Sequence, residues 1–147
     1  MSNNALHGIE SGIVGLLDQP WFSLLARIAL TAAFWLSGIS KLTDFSGAVG
    51  EVRGLTGLEP VALVAALVIA VQIGGSLLVI WGGRWAWLGA GALGVFTLLA
   101  TLMAHAWWTK AGIDRFRDFN TFWEHMGLIG GLMLAAVLAN RSVKAGL

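Results

Sequence analysis

The sequence predicts an all-α integral membrane protein: an antiparallel four-helix bundle preceded by a short N-terminal amphipathic helix at the membrane interface. Three observations lead there. Apolar runs cover roughly 22–40, 61–81, 85–108 and 121–139, and about 20 helical residues cross a hydrocarbon core of ~30 Å. Of the 147 residues, 57% are apolar and 12% are charged, where a soluble domain carries about 25% charge. Mean hydropathy is +0.79. Lipid offers backbone N–H and C=O groups no partners, so each run closes its own hydrogen bonds as a helix.

The chain divides into an interfacial segment (1–21), a four-helix transmembrane domain (22–140) and a basic tail (141–147). Residues 1–4 read as disordered. Leu6, Ile9, Ile13, Leu16 and Leu17 then recur near helical spacing, with His7, Glu10 and Asp18 between them. That pattern suits a helix lying on the bilayer. Pro20 ends it, and Trp21 and Phe22 stand where interfacial aromatics belong. No basic stretch with a small-residue cleavage site precedes the first long run, which is expected to direct insertion itself.

The first spanning helix repeats Ala29, Ala33 and Ser37 every four residues, a stripe suited to close packing. Its one charge is Arg27. Between 41 and 60, Asp44 is a candidate N-cap for a short helix with an apolar face of Phe45, Val49 and Val52, and Gly54, Gly57 and Pro60 break the pattern. The second spanning helix holds a single strongly polar residue, Gln72, and ends at the Gly82-Gly83-Arg84 turn. The third has small residues at Ala90, Gly91 and Gly94 and carries His105. A charged connection over 109–120 leads to the fourth, which has Glu124 and His125 in its first turns and a Gly127/Gly131 pair beside Gly130. No internal repeat relates the two hairpins.

Both termini fall on one face of such a bundle, here side A. Arg27, Arg84, Arg141 and Lys144 lie toward it; Lys41, Arg53, Lys110, Arg115 and Arg117 lie toward the opposite face, side B. The basic count is nearly balanced. The basic residues of side B are interleaved with acids, which suits a site, so side A is assigned to the cytoplasm. Trp21, Trp81, Trp85 and Trp87 form a belt on side A and Trp107, Trp108 and Trp123 on side B, while Trp35 lies within a helix.

A net charge of +1 gives no footing for nucleic acid. The absence of cysteine excludes thiol exchange, thiolate metal sites and Cys-ligated Fe–S clusters, so redox chemistry would need a bound cofactor or a partner chain. No HExxH, GxGxxG or P-loop pattern occurs. The candidate ligand-binding residues are the polar side chains of the helices. Helical rise puts Arg27 about 20 Å and Gln72 about 16 Å from side B, close enough in depth to meet. His105 and His125 fall at similar depth near side B, with Glu124 and Lys41 on the same side and tryptophans around them.

That group admits three functional readings. It is a quinone or quinol headgroup site, a haem or metal site ligated by two histidines, or a substrate or proton relay. Against these stands simple anchoring of helix ends by interfacial His, Lys and Trp. For Arg27, a guanidinium reaching for headgroups stands against a buried one.

The run Ala26-Arg27-Ile28, Phe34-Trp35-Leu36-Ser37-Gly38-Ile39-Ser40-Lys41-Leu42 and Asp44-Phe45 resembles the first helix of DoxX-like membrane proteins. Gln72-Ile73-Gly74-Gly75, His105-Ala106-Trp107-Trp108 and Phe122-Trp123-Glu124-His125 followed by Gly130-Gly131-Leu132 resemble the later ones, so the likeness covers about 22–140. It implies a four-helix protein of a bacterial-type inner membrane, multi-pass, linked to quinone-coupled oxidation. The family often has Glu where this chain has Gln72, so a carboxylate partner for Arg27 is missing, and either Arg27 reaches headgroups or an anionic ligand or partner supplies the charge.

Two functions follow as expectations. The first is a subunit supporting a quinone-linked oxidoreductase, with quinone the expected ligand and haem the lesser alternative. The second is a non-enzymatic scaffold or small-solute transport protein acting with a protein partner or as a homo-oligomer.

Overall fold

The computed structural model describes residues 3–146. Six helices follow in order: α1 (Asn3–Leu17), α2 (Pro20–Thr43), α3 (Phe45–Thr56), α4 (Val61–Trp81), α5 (Ala86–Ala104) and α6 (Gly112–Lys144). Single 3₁₀ turns at Gly83–Trp85 and Trp107–Thr109 flank α5. α2, α4, α5 and α6 are long and apolar enough to span a membrane. They pack antiparallel in chain order, α2 on α4, α4 on α5 and α5 on α6, with a narrow seam between α2 and α6. Both ends of the bundle's chain therefore lie on side A.

The expected disorder over 1–4 is only partly addressed: residues 1 and 2 lie outside the described residues, and the helix already includes Asn3 and Asn4. From His7 onward every residue of α1 is exposed, including Ile9, Ile13 and Leu17, as suits an element that has no protein to lie against. Pro20 occupies the start of α2, where a missing N–H costs nothing, so the first spanning helix starts two residues earlier than the sequence indicated.

Two boundaries differ more. α5 ends at Ala104, not near Trp108, and α6 starts at Gly112, so most of the charged 109–120 stretch is helical. Its charges do not break the helix because they lie past the apolar run. At ~1.5 Å per residue the 33 residues of α6 reach about 50 Å, against a hydrocarbon core of ~30 Å, so its first turns extend beyond the bundle on side B. The helix also runs through Arg141 to Lys144, taking in most of the supposed tail.

Asp44 caps α3 by accepting from the Gly47 N–H at 2.9 Å, and Ser46 donates to the same carboxylate at 2.9 Å. These bonds hold the Asp44 carboxyl below the usual carboxylate range, the backbone bond contributing most. The cap therefore holds above the ordinary carboxylate pKa and is lost as pH falls through the lowered value. The buried face of α3 is Ala48 and Val52; Phe45 is exposed, contrary to the sequence reading. Val52 packs on Val61 and Ala65, so the first turns of α4 lean on α3 rather than on α2.

The main core draws on all four spans: Phe34, Val79, Ala90, Leu93 and Leu132. The Ala29–Ala33–Ser37 stripe is not the packing face of α2. Ala29 and Ala33 are exposed, and the buried positions are Thr31, Phe34 and Gly38. The closest approach lies between α4 and α5. A Cβ on Gly89 would stand 2.5 Å from the Gly75 carbonyl oxygen and 2.7 Å from Leu78 Cβ. On α6, Gly131 receives Leu30 of α2, whereas a Cβ on Gly127 or Gly130 meets no described atom within 4 Å.

Gly89→Ala should therefore lower stability by about 1–3 kcal/mol. Gly91→Ala, two residues on and open to 4 Å among the described residues, should be neutral or stabilising by up to ~1 kcal/mol through helix propensity. Reversible unfolding in mixed detergent micelles measures both; equal losses would show that the α4–α5 crossing does not depend on backbone proximity.

Candidate functional site

The six candidate residues fall in separate places rather than in one cluster. His105 and His125 meet at the side B end of α5 and α6, their ring centroids 5.3 Å apart and edge to face. α5 supplies Thr97 and Thr101 here, four residues apart on one face, and His105 caps its end one turn further on, its backbone N–H bonded to the Thr101 carbonyl. Thr97 donates to the Leu93 carbonyl at 2.7 Å and Thr101 to the Thr97 carbonyl at 2.6 Å. A hydroxyl has one proton, so the Thr101 oxygen accepts from His125 Nδ1, 2.7 Å away. His105 Nδ1 donates to Asp118 Oδ1 at 3.2 Å, and Lys110 holds the other Asp118 oxygen. This network assigns the ring protons: both Nδ1 atoms are donors, which leaves both Nε2 lone pairs without a partner among the described residues. Two imidazoles with free Nε2 acceptors share one spot, one backed by a carboxylate and the other by a buried hydroxyl.

Aromatic rings of the neighbouring segments pack on one another. Trp107 lies against Phe119 at 5.2 Å and Trp108 against Phe122 at 6.1 Å, and the Arg115 guanidinium sits 5.6 Å over the Trp107 ring. Glu124 does not belong to this group. It is exposed because adjacent helical positions differ by about 100°, and it makes no ion pair or hydrogen bond among the described residues. Among the described residues no three His, Asp or Glu side chains converge on a metal-sized site. A macrocycle ligated by both histidines would have to separate rings that are already in contact.

Lys41 and Gln72 form a second centre, between α2, α3 and α4. Lys41 donates to Ser37 Oγ at 3.1 Å and pairs with Glu51 of α3 at 3.0 Å, its side chain only 14% exposed. Gln72, 5% exposed, donates through Nε2 to the same Ser37 oxygen at 3.3 Å. Gly38 lets α4 come this close: a Cβ there would be 2.6 Å from Ile73. Gln72 Oε1 is buried with no partner among the described residues, a cost of about 1–3 kcal/mol.

Arg27 does not meet Gln72. Its guanidinium packs on Gly82, the residue that ends α4 on side A, and its Nε donates to the Ser23 carbonyl at 3.2 Å. There a cation faces the free carbonyls of a helix C-terminus. Depth counted from helix ends misled because those ends are not level. Ser37 stands opposite Gln72 in antiparallel register, so moving along α2 to its end at Thr43 moves back along α4 only as far as Ala66. α4 therefore runs past α2 by more than a turn, where α3 packs. Arg27 is ten residues from Ser37 in α2, about 15 Å from the Gln72 level. It reaches the side A interface, near the exposed Trp81 and Trp85.

Sequence reading missed Ser37, Glu51, Thr101 and Asp118 as members of these centres. Two signals were present: the four-residue polar spacing of Thr97, Thr101 and His105 through the end of α5, and the seven-residue spacing from Asp118 to His125, which puts both on one face of α6.

Residues 22–106 match the family model for DoxX. The chain is also 26% identical over 120 residues to the inner membrane protein YphA of Escherichia coli (strain K12), an alignment covering 81% of this chain and 84% of that protein. No solved structure matches it.

Gly82 has φ 80° and ψ −153°, a combination open essentially to glycine alone, and its missing Cβ is the seat of the Arg27 guanidinium. Gly82→Ala should cost about 1–3 kcal/mol. Because some of that loss is the clash with Arg27, Gly82→Ala and Arg27→Met should combine to less than the sum of the two. Unfolding midpoints of the four proteins in one detergent test this; strict additivity would separate the two residues.

Proposed function

The chain belongs to the DoxX family, and on that premise we propose that it is the membrane subunit of a quinone-linked oxidoreductase, with the quinone headgroup bound at His105 and His125. The observation that carries this reading is the pair of adjacent histidine rings at the side B end of the bundle, whose Nε2 atoms have no partner among the described residues. In the reaction a quinone takes two electrons and two protons and leaves as the quinol. Each Nε2 atom, unprotonated at rest, first takes up a proton from side B and then gives it to one ring oxygen, while Asp118 holds the His105 ring through Nδ1. The electrons come from a redox centre on a partner subunit, since this chain has no cysteine to hold a cluster. The first turns of α6, with Ile113 and Phe116 exposed beside Arg117, provide a surface for that contact.

The location follows from the same reading: a bacterial-type inner membrane, with four spans and both termini in the cytoplasm. The YphA relative is itself named an inner membrane protein. Side B then faces away from the cytoplasm, and the histidines exchange protons on that side. Lys41 and Gln72 take no role in headgroup binding, because their partners are Ser37 and Glu51.

Purified protein in detergent should bind a benzoquinone or naphthoquinone carrying a single isoprene unit, seen as quenching of tryptophan fluorescence. His105→Ala and His125→Ala should each weaken that binding by about tenfold or more, ~1.4 kcal/mol. Glu124→Gln, exposed and apart from the pair, should leave it unchanged. Absence of any quinone affinity in the wild-type protein, or unchanged affinity in both histidine variants, would overturn the assignment.

A further inference from the structure

A cleft of about 400 Å³ opens at the side B end of α6, lined by Trp107 of the 3₁₀ turn and by Gly112, Arg115, Phe116 and Phe119 of the helix. The Arg115 guanidinium lies 5.6 Å over the Trp107 ring, and Trp107 packs edge to face on Phe119 at 5.2 Å. Both side-chain donors in these walls lack an acceptor. Among the described residues the Arg115 side chain makes no hydrogen bond or ion pair, and the buried Trp107 indole N–H has no partner. No carboxylate shares the cleft. Asp114 is not one of its lining residues, and Asp118 is held by His105 and Lys110. Gly112 adds no side chain, and α6 begins there without a side-chain cap, which leaves its first N–H groups free as well.

We propose that this cleft binds the phosphate of an anionic membrane phospholipid. The assignment does not rest on the quinone reading. A guanidinium offers a planar fork of donors that matches phosphate oxygens, and basic pockets between membrane helices bind anionic headgroups. Height selects a lipid over free phosphate. The apolar run of α6 begins at Thr121, and Arg115 precedes it by six residues, about 9 Å further out, where headgroups lie outside a core of ~30 Å. Phe116 and Phe119, both exposed, stand between Arg115 and that run. Cation, rings and hydrocarbon therefore follow one another in the order of a lipid's phosphate, glycerol esters and acyl chains. A free phosphate, fully hydrated, gains nothing from two exposed rings. Ile113 and Arg117 lie outside the cleft, so the surface assigned above to a partner subunit shares only Phe116 with it.

Native mass spectrometry of the full chain in detergent tests this. The probes are phosphatidylglycerol and phosphatidylcholine with the same acyl chains; in the second, the choline cation offsets the phosphate. One phosphatidylglycerol per chain should bind at least about tenfold more tightly than phosphatidylcholine. Arg115→Gln should bring the two lipids within about twofold of each other. Phe116→Glu, which puts a carboxylate into the wall at an exposed position, should do the same and stands in if Arg115→Gln does not fold. Arg117→Gln, outside the cleft, should keep the wild-type preference. Excess inorganic phosphate should not displace the lipid.

Equal affinity of the wild-type protein for the two lipids overturns the proposal, because the interfacial residues would then anchor helix ends without a site. A loss with Arg117→Gln equal to that with Arg115→Gln overturns it too, since side B would then be a diffuse basic patch. So does an undiminished preference in both Arg115→Gln and Phe116→Glu, which would put the lipid elsewhere. Displacement by inorganic phosphate would assign the cleft to the free anion and overturn the lipid as its source.

Discussion

In hydrocarbon a polar group has no water to fall back on, and that constraint orders the whole bundle. Most of its buried hydroxyls meet it locally. Thr31 donates to the Arg27 carbonyl, Ser76 to that of Gln72 and Thr97 to that of Leu93, each one turn back on its own helix. Such bonds satisfy the side chain without saying which helix lies alongside. The side chains that reach across are few, and each fixes a neighbour: Gln72 to Ser37 sets α4 against α2, and Thr101 with His125 sets α5 against α6. The remaining pair, α4 on α5, has no polar cross-link among the described residues. It is held by backbone approach at Gly75 and Gly89 and by the fully buried Leu93. Shape does there what hydrogen bonds do at the other two contacts.

The spans were legible because lipid leaves so little choice. An apolar run of sufficient length must be a helix, and short connections make neighbours antiparallel, so number, order and direction all followed from hydropathy. What hydropathy does not carry is the relative height of the helices. α3 is the cause: it packs under the first turns of α4 and lifts that helix past the end of α2, leaving Arg27 at the side A rim and far from the Gln72 level. The same blindness hid the start of α6. Charged residues over 112–120 looked like a connection because a membrane helix is recognised by its lack of charge, yet nothing prevents a helix from continuing into water.

The histidine pair was legible in outline, from the end of one helix and the start of the next. Its supports were not, since Asp118 was assigned to a loop and Thr101 counts as nearly apolar on a hydropathy scale. Lys41 and Glu124 were grouped with the histidines by depth alone. Depth is one coordinate of three. Lys41 lies on the α2 side of the bundle and Glu124 points away from its core, and only the packing of α3 and the rotation of α6 decide that.

The separation of the two polar centres bears directly on which of them suits proton-coupled chemistry. Both contain an ionisable group near the side B end, but their outlets differ. At Lys41 the ammonium is spoken for by Ser37 and Glu51, and Gln72 contributes an amide that does not titrate. Those contacts tie α2 to α3 and α4, so the centre behaves as a clasp. At the histidines the tie is made through the Nδ1 atoms, while the Nε2 atoms stay free. A proton can come and go at Nε2 without breaking either support. The quinone reaction proposed above would charge and discharge its site in every cycle, which needs that division between the nitrogen that holds and the nitrogen that reacts, and of the two centres only the α5–α6 pair has it.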